Sequence, residues 1–261
     1  MKLPNFSFAI DIITEMTNRK GVHNMKLLFI RHGDPDYVND YLTEKGFREA
    51  DLLAERIAQL DVRDFYCSTL GRAKATAKVA LDRIGREAVI CDWLREFPGY
   101  IIEDGTGEKV IPWDLLPGHW TTHSQLYDKD QWMKDTIMTT GDVEAAYRNI
   151  TTHFDQLLQQ YGYLRQDGYY RCDRGNTDTI VFFCHLGVQF AILSHLLGIA
   201  TPLLWQGFFV APTSVTTVVT EERTKGEVYF RCQALGDTSH LYVGKEPISY
   251  AGFFEETYQE I

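Results

Sequence analysis

Positive charge is scarce in this chain: 26 Lys and Arg stand against 36 Asp and Glu over 261 residues, a net charge of -10. Nowhere do Lys and Arg gather into a run, so the basic face of a general nucleic-acid or anionic-membrane binder is missing and both partners are excluded. An anionic substrate would therefore be captured by a few Arg and His side chains in a small, locally positive pocket. Cys-x-x-Cys spacing is absent too. The five cysteines (Cys67, Cys91, Cys172, Cys184, Cys232) are scattered and odd in number, which argues against a disulfide framework or a zinc site and for a reducing, cytoplasmic setting. No stretch approaches the roughly 20 apolar residues of a membrane span. The apolar segment 6–13 is broken by Asp11 and lacks the basic flank and cleavage site of a signal peptide. There is no internal repeat and no low-complexity tract. Core-forming material is plentiful: 44% hydrophobic and 13% aromatic residues suffice for one large α/β domain or two small ones.

The apolar patterns alternate between strand and helix periods, which points to a layered α/β/α sandwich with a mostly parallel central sheet. A strand at 27–30 precedes a helix at 43–58, with Thr43 as its N-cap and Leu52, Leu53, Ala54 and Ile57 as its stripe. A strand at 64–67 leads into a turn that opens a second helix ending near Ile84, and 89–91 reads as a further strand. From 98 to 140 the pattern breaks into Gly, Pro, His119, His123 and three Trp, too long for a structureless loop, so it is expected to fold over the core as a cap. An amphipathic helix at 142–161, a buried strand at 179–184, a helix at 188–197 and strands at 214–220 and 228–235 complete the domain, taken as 25–261. Residues 1–24 are expected to be an N-terminal extension, or an over-extended start with Met25 as initiator.

Chemistry concentrates where strands end. The run Lys26-Leu-Leu-Phe-Ile-Arg31-His32-Gly33 carries a buried strand into a turn, and ligands of open α/β sheets bind beyond the carboxyl ends of such strands. Arg31 offers a permanently charged planar fork for phosphate, and a neutral, oriented His32 can attack phosphorus. The strand at 179–184 delivers His185 in the same way. Between the two lies the helix start bearing Arg72, whose N-terminus adds partial positive charge. If the strands are parallel neighbours, these side chains meet at one sheet edge as a phosphate cage.

With Arg31-His32-Gly33, the chain shows four further motifs: Leu42-Thr43-x-x-Gly46-x-x-x-Ala50, Ser68-x-Leu70-x-Arg72-Ala73-x-x-Thr76-Ala77, Leu94-x-Glu96, and His185 after a buried strand. In this order they resemble the histidine phosphatase superfamily, the group that includes cofactor-dependent phosphoglycerate mutases. The resemblance implies that His32 is the nucleophile that becomes phosphorylated, that Arg31, Arg72 and His185 hold the phosphoryl oxygens, and that Glu96 is the general acid. Glu103 and Asp104 are the next candidates for that acid. A backbone N–H at Leu186 stands where family members often have Gly and still serves phosphate. The Asn that small-molecule phosphatases of the family often carry six residues after the nucleophile is Val38 here, with Asn39 one step later and unassigned.

The expected activity is metal-independent hydrolysis of a small phosphorylated metabolite through a phosphohistidine, with no cofactor and no metal site. A phosphoglycerate-type phosphomutase and an inactive phosphate-binding regulatory module are the alternatives, and a homodimer is left open.

Overall fold

The computed structural model describes residues 24–102 and 107–254. The expected extension, apart from residue 24, and the alternative acids Glu103 and Asp104 lie outside the described residues.

Eight strands form one sheet: β1 (Lys26–Arg31), β4 (Asp64–Ser68), β5 (Val89–Cys91), β8 (Leu164–Gln166), β9 (Tyr169–Arg171), β10 (Thr179–Cys184), β11 (Val215–Thr224) and β12 (Glu227–Asp237), in the order β5-β4-β10-β1-β11-β12-β9-β8. Two small hairpins, β2 (Pro35–Asp36) with β3 (Tyr41–Leu42) and β6 (Ile101–Ile102) with β7 (Lys109–Val110), lie outside it. Six of the eight strands point the same way; β5, β4, β10 and β1 also pair in parallel, whereas β11, β12, β9 and β8 join by antiparallel pairing. The antiparallel half follows from short connections: β11 and β12 are separated by a two-residue turn at Lys225 and Gly226, which has no room for a crossover helix.

The period of two along β1 sorts its side chains between two cores. Leu28 and Ile30 join Leu53, Ala54 and Ile57 of α1 (Glu44–Ile57) and Ala73, Ala77, Ala80 and Leu81 of α2 (Gly71–Ile84) on one face. Leu27 and Phe29 join Phe154 and Leu158 of α4 (Val143–Gln160), Val188 and Ile192 of α5 (Leu186–Leu197) and Trp205 of α6 (Thr201–Gly207) on the other. Helices therefore cover both faces. Thr43 caps α1, its hydroxyl accepting from Gly46 N–H, and the last short helix, α7 (Ser239–Gly244), packs its Gly244 against Leu52 of α1. Helix α5 begins two residues before the apolar run at 188, because His185 supplies the extended N-cap.

Between β5 and α4 the described residues form the β6–β7 hairpin, a short helix α3 (Pro117–Trp120) and four 3-10 turns. Trp113, Leu126, Trp132, Met133, Ile137 and Met138 from this stretch are buried in the larger core. Trp132 meets Trp205 edge-on, with ring centroids 5.6 Å apart. His119 and His123 stack at 4.3 Å, and His123 is anchored to Asp135.

Candidate active site

The parallel strands deliver their ends to one edge in the order Glu96, Ser68, His185, His32. Register pairs Arg31 with Cys184, so the next residues, His32 and His185, emerge side by side with ring centroids 5.1 Å apart. Beyond them β4 ends at Ser68 and the chain turns into α2, bringing in Arg72 from its first turn. Ser68 pairs in turn with Cys91, and a 3-10 turn at Asp92–Leu94 carries the chain on to Glu96. The structure thus brings together all five side chains that the sequence singled out.

Neutrality and orientation of His32 follow from its surroundings. Burial pushes its pKa well down, and Arg31 and then Arg72 add to the shift. A neutral ring with Nδ1–H donates to the Gly33 carbonyl at 2.8 Å, which leaves the Nε2 lone pair for attack. The Gly33 turn is held by Thr76, whose hydroxyl accepts from Gly33 N–H at 2.9 Å and donates to the Arg72 carbonyl at 2.8 Å. A side chain at 33 would meet the Gly46 carbonyl oxygen at 2.8 Å, so glycine is required by the close approach of α1.

His185 is held by Ser68 Oγ, 2.8 Å from Nε2. That oxygen also accepts from Leu70 N–H, and when the Ser68 hydroxyl donates to Nε2 the imidazole proton sits on Nδ1. Burial, His32 and the two arginines push the His185 pKa well down as well.

Arg31 donates Nη1 to the Val210 carbonyl at 2.7 Å and Nη2 to the Ala251 carbonyl at 2.8 Å. Burial lowers its pKa, but a guanidinium remains charged. Arg72 donates Nη1 to Asp40 Oδ1 at 2.6 Å. After these contacts Arg31 Nε, Arg72 Nε and His185 Nδ1 remain buried with no hydrogen-bond partner among the described residues. Buried donors without acceptors cost about 1–3 kcal/mol each, a cost that an anion bound among them would relieve.

Glu96 is partly buried. Its Oε1 accepts from Phe97 N–H at 2.9 Å, Gly187 N–H at 2.8 Å and Val188 N–H at 3.2 Å, so it docks on the first turn of α5 beside Leu186. Burial raises its pKa, against the pull of the backbone bonds, Arg31 and Arg72. A carboxyl raised in this way can hold a proton for a leaving group. A Cβ at Gly187 would lie 2.4 Å from the Trp113 ring and 2.8 Å from Glu96 Oε1, so glycine there lets the carboxyl and the indole share the helix N-terminus.

Sequence reasoning gave Ser68, Thr76, Asp40 and Glu49 no task. Ser68 and Thr76 lay within a quoted motif, which was a signal; Asp40 and Glu49 carried none beyond their charge. Val38 and Asn39 stay outside the cage: Val38 is 93% exposed, and Asn39 donates to Asp36 in the hairpin turn.

The family model of the histidine phosphatase superfamily (branch 1) matches residues 27–157, and the chain belongs to that superfamily. It is 20% identical over 193 residues to the adenosylcobalamin/alpha-ribazole phosphatase of Salmonella typhi, a match covering 69% of this chain and 84% of that one. It is 33% identical over 72 residues to a 2,3-bisphosphoglycerate-dependent phosphoglycerate mutase of Thermoplasma acidophilum, covering 24% of this chain and 36% of that protein's length. In structure it resembles a phosphoserine phosphatase of Entamoeba histolytica with a TM-score of 0.55 at 20% identity, over 83% of this chain and 99% of the other, which shows the shared fold.

Proposed function

We propose that the chain is a phosphomonoesterase that works through a phosphohistidine at His32, with no metal in the chemical step. The observation that carries this reading is a set of three buried, unpartnered nitrogens, on Arg31, Arg72 and His185, in groups whose charges act on a histidine whose free nitrogen is Nε2. In the first step His32 Nε2 bonds to phosphorus as the bond to the ester oxygen breaks, and that oxygen takes the proton of Glu96. In the second, water attacks phosphorus, Glu96 takes its proton back from the water, and the P–N bond breaks to release inorganic phosphate and neutral His32. Arg31, Arg72, His185 and the Leu186 N–H stabilise charge on the equatorial oxygens, the electrostatic role that dominates phosphoryl transfer. The substrate is a small phosphorylated metabolite, and the described part of segment 98–140 forms the wall on the leaving-group side, with Trp113 against Gly187 supporting that placement. The free cysteines among the described residues accord with a cytoplasmic setting.

Phosphoglycerate mutase chemistry shares the first step, and the similarity to the Thermoplasma mutase keeps it as the second reading. The test is turnover of p-nitrophenyl phosphate in EDTA, inhibition by vanadate, and mapping of an acid-labile phosphoryl label. Metal-free turnover, inhibition below millimolar vanadate and a label on His32 that disappears in His32→Ala are expected. Transfer that occurs only with a bisphosphate primer would assign a mutase, and a label on another residue would overturn the assignment.

A further inference from the structure

The β2–β3 hairpin turn, residues 37–40, lies over Arg72. Asp40 places Oδ1 2.6 Å from Arg72 Nη1 and Oδ2 2.6 Å from Gly71 N–H, and the Tyr37 ring lies 5.5 Å from the Arg72 guanidinium carbon. Asp40 adopts a left-handed backbone with φ of 48°, a region that few non-glycine residues occupy and in which Asp is tolerated. Its carbonyl oxygen would be 2.1 Å from a Cβ at Gly71, so the approach requires glycine there. Two unusual backbone features therefore converge on placing one carboxylate against a cage arginine.

The contact has an electrostatic consequence. The two cations of the cage are both engaged: Arg31 through its Nη atoms on two carbonyls, Arg72 on the carboxylate of Asp40. Arg72 keeps Nε for a phosphoryl oxygen. An oxygen bound at Nε would sit across the same guanidinium from Asp40, only a few ångströms from its negative charge, where like charges repel appreciably. The phosphoryl group offsets that repulsion by meeting Arg31, Arg72 and His185 together. A second anionic group on the substrate that reached the exposed side of Asp40, which is 41% accessible, would meet a carboxylate there and find Arg72 already paired with it.

We infer that Asp40 is a specificity-determining residue that selects phosphomonoesters whose leaving group is uncharged or carries an ammonium, and disfavours esters bearing a second carboxylate or phosphate. This rests on the phosphatase reading of the same site. It also separates hydrolysis from bisphosphate-primed transfer, since a primer is a substrate with a second phosphate. The selection is a difference between affinities produced by a repulsive element.

A purely structural role exists for the same side chain: α2 has no side-chain cap of its own at Leu70, and Asp40 supplies an acceptor to Gly71. The experiment distinguishes the two. Glycerol 3-phosphate and 3-phosphoglycerate are matched three-carbon esters that differ by a hydroxymethyl group against a carboxylate. Each is titrated by calorimetry into His32→Ala protein, which cannot turn them over, and into the His32→Ala/Asp40→Asn double variant, with folding checked by thermal melting. We expect glycerol 3-phosphate to bind the His32→Ala protein about tenfold or more tightly than 3-phosphoglycerate, and Asp40→Asn to bring the ratio toward one. Equal affinities in His32→Ala alone, failure of both esters to bind, or a ratio unmoved by Asp40→Asn would overturn the inference. Hydrolysis of p-nitrophenyl phosphate by the unmutated protein is scored separately, so an inert enzyme that still discriminates the two esters would sink the phosphatase reading and leave the selection standing.

Discussion

Ser68 Oγ lies 2.8 Å from Nε2 of His185 and holds that imidazole at the strand end. The Ser68 oxygen also accepts from Leu70 N–H, and in the proposed site its hydroxyl donates to Nε2, so that Nδ1–H serves the phosphoryl group. Ser68→Ala removes that donor, lets the tautomers interconvert and leaves Nε2 unpaired. We expect kcat/KM to fall by about ten- to a hundredfold, the equivalent of one buried hydrogen bond. Nitrogen-15 NMR of the imidazoles should show loss of the single Nδ1–H tautomer, and an unchanged tautomer with unchanged rates would remove Ser68 from the site.

Glu96→Gln should discriminate between leaving groups. An alkoxide must be protonated as it departs, whereas a nitrophenolate need not be, so alkyl phosphate hydrolysis should drop by about 10²–10⁴ and p-nitrophenyl phosphate hydrolysis far less. Burial raises the Glu96 pKa, so the acid form persists above the usual carboxyl range and alkyl phosphate turnover declines as pH climbs through the raised value. The Gln variant should lose that limb of the profile. Equal losses on both substrates would move the acid role to another carboxylate.

Gly187→Ala tests how tightly the acid is seated. The new Cβ would lie 2.4 Å from the buried Trp113 ring and 2.8 Å from Glu96 Oε1. One of the two must shift, so the variant should lose alkyl phosphatase activity together with about 1–3 kcal/mol of stability. Denaturant melts and paired rate measurements give both numbers, and a fully active variant would show that the helix start tolerates a side chain.

Glu49 is a buried carboxyl whose pKa burial pushes up to about 7, against the Asp34 N–H bond and Lys45. Its Oε2 accepts from Asp34 N–H at 2.8 Å, and Lys45 stands 3.3 Å away while also reaching Glu246. Because the folded pKa exceeds the unfolded one near 4.3, the native state holds the extra proton between those values, and stability falls as pH rises through that window. Glu49→Gln keeps an acceptor for Asp34 and cannot ionise. Its melting temperature should match the parent near pH 4 and exceed it at pH 8, by about 2 kcal/mol in stability. A parent and variant that melt in parallel across that range would contradict the raised pKa.

Much of the site was legible because its signals are local. A buried strand followed by Arg-His-Gly must expose its next side chains at the sheet edge, and Thr43 ahead of an amphipathic run is a helix start, as the Gly46 N–H bond bears out. The short strands β8 and β9 and the helices α3, α6 and α7 were not legible. They are too brief to show a period, and in β9, α6 and α7 the burial of Tyr170, Trp205 and Leu241 in the tertiary structure holds the element.

By itself the sequence showed which side chains stand at the strand ends, Arg31, His32 and His185, and through its motifs singled out Arg72 and Glu96 as candidates beside them. Their order follows from periodicity and chain direction, which are properties of neighbouring residues. Only the tertiary structure decided what each of them touches. Glu96 takes its N–H donors from Gly187 and Val188, 91 and 92 residues away; Arg72 meets Asp40 across 32 residues; Arg31 is gripped by the carbonyls of Val210 and Ala251. Every residue carries a carbonyl and all but proline an N–H, so no spacing or residue type announces which backbone group will be the partner. Strand order, helix docking and the return of the C-terminal segment to β1 select it.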